Sequence, residues 1–140
     1  MVKYQLSYQY QESLNCYYSK RLLHKILLLN TYATNKININ HIIKAINYAK
    51  KYHSGQKRNT GELLYSHALE VAYMVADYSF NTNIIVTAIL HDTIEDTELT
   101  KEMIAEAFSH KVANDVECLT RIKKNHKISV VEMVKILYRQ

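Results

Sequence analysis

Both glycines of this 140-residue chain, Gly55 and Gly61, lie in the single nine-residue stretch from His53 to Gly61, and the chain has no proline at all. Tight turns draw on glycine and proline for backbone angles that other residues reach poorly, so few can be built here. Gly-rich phosphate loops and dinucleotide fingerprints are excluded, and turn-rich β-sandwiches are disfavoured. Helices joined by short polar connections remain, and the expected fold class is all-α. One domain of this length buries about 68–70% of its unfolded surface, enough for a real core but not for a second catalytic domain.

Apolar spacing places the helices. Leu22, Leu23, Ile26, Leu27 and Leu29 share one face of a helix expected over Glu12 to Asn30, with Met1 to Gln11 unassigned. A polar loop, Thr31 to Asn38, precedes a helix reaching Tyr52, capped by Asn38 or Asn40 and buried through Ile42, Ile43, Ile46 and Ala49. After the glycine stretch, a helix from Tyr65 to Tyr78 presents Leu69, Ala72, Val75 and Ala76. The run Ile84 to Leu90 is apolar almost all round, which suits a central strand by propensity. Its polar continuation, His91 to Asp96, and the lack of another convincing strand favour a buried helix. Thr100 caps the next helix, Val112 to Ile122 forms another, and Ser129 with Glu132 makes a capping box for the last. No repeat is visible. The expected organisation is a helical extension over 1–37 and a main domain over 38–140, with any linker falling at Lys123 to Lys127.

A net charge of +5 permits an anionic partner, but its distribution says more. From Asp92 to Glu117 there are eight acids against Lys101 and Lys111, whereas Arg121 to Gln140 carries six bases against Glu132. The acidic region can hold a cation. The basic one, with Lys50, Lys51, Lys57 and Arg58, can attract an anion. Solvated helix faces explain such runs equally well. Cys16 and Cys118 have neither zinc-knuckle nor disulfide-framework spacing. No apolar run approaches a membrane span and Met1 to Tyr10 lacks signal-peptide layout, so a cytoplasmic location without membrane attachment is expected.

Of seven histidines, His24, His41, His110 and His126 have the company of surface residues. His91 and Asp92 differ, because they emerge together from the most apolar segment and must be satisfied there. A hydrogen-bonded core histidine is one solution, and a divalent cation is another. Glu95 and Asp96 add two carboxylates within one helical turn, crowding that favours a cation. His67 offers a second imidazole near the start of a different helix. A His, His, Asp set suits Mn²⁺, Fe²⁺ or Zn²⁺ better than an all-oxygen Mg²⁺ or Ca²⁺ site. Such an ion lowers the pKa of water, whose proton Glu95 or Asp96 can accept. Arg58, Lys57 and Thr60 supply phosphate-binding and base-stacking groups in the adjoining loop.

The ordered set H-S-G-Q-K-R from His53, H-A-L-E-V-A from His67 and L-H-D-T-I-E-D-T from Leu90 resembles the HD hydrolase domain of RelA/SpoT proteins over roughly Ile42 to Arg121. That resemblance implies an HD-domain-like helical bundle and a 3′-pyrophosphohydrolase acting on guanosine tetra- or pentaphosphate, (p)ppGpp, with Mn²⁺ as cofactor. It implies His67, His91 and Asp92 as metal ligands and Glu95 with Asp96 as the catalytic pair activating water. It likewise implies that Arg58 packs on guanine, that Thr60 belongs to the nucleotide pocket, and that His53 lies close to that pocket without binding metal.

The sequence also departs from the family pattern. Leu63 and Ala68 stand where the family tends to have proline, Leu64 where it has tyrosine, and Asn59 where it has a basic residue. The family's fourth metal ligand is an aspartate in a later D-R-x-H-N-like stretch that is absent here, since beyond Asp92 only Asp96 and Asp115 remain. The domain is therefore expected to be incomplete at its C-terminal end. A catalytically impaired remnant retaining nucleotide or protein binding is the alternative function, and nucleic-acid binding is a third that rests on net charge alone.

Overall fold

The computed structural model describes residues 16–139, and every regular element among them is helical. In chain order these are α1 (Tyr17–Asn30), α2 (Ile39–Tyr52), α3 (Leu64–Tyr78), α4 (Thr82–Leu90), α5 (Thr93–Asp96), α6 (Lys101–Ala107), α7 (His110–Lys123) and α8 (Val130–Tyr138). The fold is all-α, as expected. The part of the first expected helix that begins at Glu12 lies outside the described residues.

Side chains rather than glycines start most of these helices. Asn38 Oδ1 accepts the His41 N–H at the head of α2, Asn81 Oδ1 that of Ile84 in α4, and Thr100 Oγ1 that of Met103 in α6. Ser109 caps α7, which starts at His110 rather than Val112 because this serine reaches the Val112 N–H. The capping box of α8 closes in both directions, Glu132 N–H to Ser129 Oγ and Ser129 N–H to Glu132 Oε1. Each such cap contributes about 1 kcal/mol.

The apolar run Ile84 to Leu90 is the centre of the molecule. Every residue from Ile84 to Leu90 is buried, and α4 packs against α2, α3 and α7. Such a helix needs no polar face. Around it, α1 packs on α3 and α2, and α8 on α3. Leu22, Leu23 and Ile26 of α1 belong to the same core as Ile42, Ile46, Val75, Ile85, Leu119 and Leu137. Arg21 Nη1 donates to both carboxylate oxygens of Glu70, at 2.7 and 2.9 Å, and the guanidinium, with Lys25, lies over the Tyr73 ring, tying α1 to α3. Among the described residues no helix is long and apolar enough to cross a membrane.

Both glycines have positive φ, +77° at Gly55 and +93° at Gly61. Gly55 sits in the turn closed by the Gln56 N–H on the His53 carbonyl, and Gly61 N–H bonds the Arg58 carbonyl. Arg58 N–H then bonds the Glu62 carbonyl, and Leu64 N–H that of Gln56. The result is a small hairpin loop with a three-residue tip, Asn59 to Gly61, a form that ends on a left-handed residue. Close approach of another group is not the reason for glycine here, because a Cβ at either position meets nothing within 4 Å. The requirement is conformational. Gly61→Ala is therefore expected to lower stability by about 1–2 kcal/mol and Gly61→Asn by less, as a shift in the urea midpoint; equal midpoints for all three proteins would contradict this.

Candidate functional site

The chain leaves α4 at His91 and makes a separate single turn, α5, instead of extending the helix to Asp96. Thr93 Oγ1–H donates to the Leu90 carbonyl at 2.7 Å and Thr97 Oγ1–H to that of Thr93 at 2.7 Å, which fixes this corner. His91 and Asp92 are thus held at the end of a buried helix, 2% and 6% exposed. His67 comes in from the first turns of α3 and is half-buried.

One ligand atom from each of His67, His91 and Asp92 lies within 4.8 Å of the others. Nδ1–H of His91 donates to the Ala88 carbonyl at 2.6 Å, which commits its Nε2 to the site. That Nε2 meets Asp92 Oδ2 at 3.1 Å. In the neutral ring both atoms present lone pairs, so a proton or a metal ion must lie between them. Adjacent ligands about 2.1 Å from an ion stand about 3 Å apart, the separation of the His91–Asp92 pair, with His67 within 4.8 Å of both. The two nitrogens and one carboxylate therefore fit a divalent transition metal, and the backbone bond of His91 is the outer contact that orients such a ligand.

Electrostatics agree with that geometry. Burial first, then the charge of Arg58 and the electrostatic coupling to the neighbouring His91, hold the His67 imidazole below its ordinary pKa against the pull of Asp92, which favours the neutral form that can ligate. Burial alone would raise Asp92, but the hydrogen bond and charge of His91, followed by those of Lys123, override it and hold the carboxyl well below the usual carboxylate range. Asp96 is pushed upward, first by partial loss of water around its carboxyl and then by the negative charges of Asp92 and Glu95.

Glu95 and Asp96 are exposed and stand outside the three-ligand group. Asp96 instead forms the wall of a neighbouring cleft of about 770 Å³ that is also lined by Lys57, Arg58, Thr60 and Lys127. The expected anion-binding residues are thus gathered in one place. Arg58 Nη1 reaches Glu62 Oε2 at 3.3 Å, an exposed contact that holds the guanidinium only loosely. His53 does not line this cleft, because it is fully buried beneath the loop. Its Nδ1–H donates to Gln56 Oε1 at 3.0 Å, and Gln56 Nε2–H donates to the Asp96 carbonyl at 2.7 Å. Gln56 thus bridges His53 and the glycine loop to the acidic turn.

Three contributors escaped the sequence reading: Gln56, Lys123 and Lys127. Gln56 stands inside the H-S-G-Q motif, so a signal existed. Lys123 donates to Asp92 Oδ1 from 31 residues away, a spacing no local pattern reports. Asp115, buried, is paired with Lys111 and is not in the metal group.

His67 makes the acid response of this site measurable. Its pKa is lower folded than unfolded, so as pH falls through 6.5 the unfolded chain takes up the proton first and stability declines. Asp92 adds a further loss only below its ordinary value of 3.8, while Asp96, shifted upward, works in the opposite direction near that pH. In urea titrations of metal-free protein between about pH 7 and 5, His67→Gln is expected to flatten the decline; an unchanged slope would contradict the assignment.

Comparison with known proteins adds an independent observation. The HD domain family matches residues 45–136. A guanosine-3′,5′-bis(diphosphate) 3′-pyrophosphohydrolase of Aquifex aeolicus is 45% identical over 83 residues, 59% of this chain and 12% of that protein. The GTP pyrophosphokinase rsh of Brucella ovis is 42% identical over 86 residues, 61% of this chain and 12% of its own length. A GTP pyrophosphokinase of Myxococcus xanthus is 43% identical over 83 residues, 59% of this chain and 11% of its own. The matched region is thus about an eighth of the first two relatives.

Proposed function

This chain belongs to the HD-domain family, its domain being of the RelA/SpoT type, and on that premise we propose that it hydrolyses guanosine-3′,5′-bis(diphosphate) and its pentaphosphate analogue at the 3′-pyrophosphate. The observation that carries the proposal is a His67–His91–Asp92 group beside a basic cleft: Asp96, four residues after Asp92, lines that cleft, and Arg58 of the cleft acts electrostatically on His67. Hydrolysis of an anionic phosphoester needs both a cation centre and an anion clamp.

Mn²⁺ is the proposed ion and the cytoplasm the proposed compartment. His67, His91 and Asp92 would hold the ion, whose Lewis acidity would lower the pKa of water at the site. Arg58 stacks its guanidinium on the guanine, and Lys57, Thr60 and Lys127 bind phosphate oxygens. Water oxygen forms a new bond to the phosphorus attached at the ribose 3′ oxygen, and the bond between that phosphorus and the ribose breaks. Pyrophosphate leaves, and the ribose oxygen takes up a proton, giving GDP or GTP. Glu95 and Asp96 accept the proton from water, a role helped at Asp96 by its raised pKa. Gln56 and His53 fix the backbone of that turn, and the small loop closed at Gly61 carries the anion-binding side chains.

A second reading has its own support. Only one carboxylate belongs to the metal set among the described residues, and a lysine ammonium is bonded to it. A remnant that binds guanine nucleotide or a protein partner without turnover would look like this.

The test is release of pyrophosphate from guanosine-3′,5′-bis(diphosphate) with added Mn²⁺. The expected outcome is metal-dependent turnover that His91→Ala and Asp92→Ala each reduce by more than about a hundredfold, beyond what loss of a ligand's outer partner costs. Nucleotide binding without turnover at any Mn²⁺ concentration would decide for the remnant.

A further inference from the structure

Lys123 is the last residue of α7, a position where a cation ordinarily serves the helix's own terminal carbonyls. Here α7 packs on α4 and α5, which brings its end over the corner where Asp92 sits. The ammonium crosses to Asp92 Oδ1, while Oδ2 of the same carboxylate faces His91. The pair is largely withdrawn from water, with the lysine side chain 26% exposed and that of Asp92 9%. Screening by solvent is accordingly weak, and the contact is worth more than a surface ion pair.

The charge balance of the site follows. His67 and His91 ligate as neutral rings, so the three ligands bring a single negative charge, that of Asp92. A divalent ion and the Lys123 ammonium cannot both be neutralised by one carboxylate, and at this range they repel each other.

We propose that Lys123 is an internal competitor for the divalent ion on Asp92, so that loading the site exchanges one cation for another and the lysine sets the metal affinity. The proposal rests on the reading of His67, His91 and Asp92 as the metal site. It assigns Lys123 a positioning role: the side chain acts on the metal through the shared carboxylate.

The experiment is Mn²⁺ binding to the full chain, stripped with chelator and followed by the paramagnetic resonance of free Mn²⁺. Lys123→Met keeps the length of the side chain and removes its charge. It is expected to tighten Mn²⁺ by about tenfold, equivalent to about 1.4 kcal/mol, whereas Lys123→Arg keeps wild-type affinity to within about twofold. His91→Ala should abolish binding in either background. Equal or weaker affinity in Lys123→Met, with His91→Ala still abolishing binding, overturns the competition while leaving the metal site standing. No Mn²⁺ binding to wild type or to Lys123→Met overturns the metal reading and the competition together. Should Lys123→Met fail to fold, the ¹⁵N resonance of the wild-type Lys123 ammonium on adding diamagnetic Zn²⁺ decides. A shift saturating with Zn²⁺ and absent in His91→Ala supports displacement, and an unmoved resonance overturns it.

Discussion

An imidazole and a carboxylate at the end of a fully buried helix have little water to solvate them, and this constraint organises the rest of the molecule. α4 carries no charged side chain and is buried from Ile84 to Leu90, so its side chains leave His91 and Asp92 without partners. One backbone carbonyl of α4, that of Ala88, takes a ring nitrogen of His91, and the other partners arrive from other helices: α3 brings His67 and α7 brings Lys123. A polar cluster of this kind is stable only when each member is paired, which makes it a natural binding place for a cation.

Opposite charges are then sorted across a short distance. Asp92, Glu95 and Asp96 lie on the corner after α4, and Lys57, Arg58 and Lys127 on the far side of the cleft that Asp96 borders. The loop between α2 and α3 makes this sorting possible because its two positive-φ glycines let the chain double back, keeping Arg58 and Thr60 at the surface while His53 stays buried. Gln56 joins the two sides by bonding both His53 and the Asp96 backbone. Gln56 thus ties the acidic turn to the glycine loop.

Much of this was legible from residues alone. Caps at Asn38, Thr100 and Ser129 work by local hydrogen bonds, which adjacent residues dictate. The glycine pair announced a special backbone, and both residues have positive φ. The Ile84 to Leu90 run gave no usable period, and its helical state came from the polar residues after it. The proposed trio of His67, His91 and Asp92 could be picked out because an H-D pair leaving an apolar helix has few structural solutions, and the structure brings the three side chains together. Lys123 was not, since a lysine in a basic run looks like a solvated face, and only tertiary packing of α7 turns it inward. The break between α4 and α5 was likewise hidden, because the Thr93 and Thr97 side-chain bonds that shape it depend on the folded corner.

The central claim is that three side chains from α3 and the end of α4 converge on one divalent ion. Anomalous scattering from crystals grown with Mn²⁺, collected across the manganese edge, tests it directly. The account predicts a single strong peak about 2.0–2.3 Å from a nitrogen of His67, from Nε2 of His91 and from an oxygen of Asp92. A peak coordinated elsewhere, or none at these residues, would contradict it.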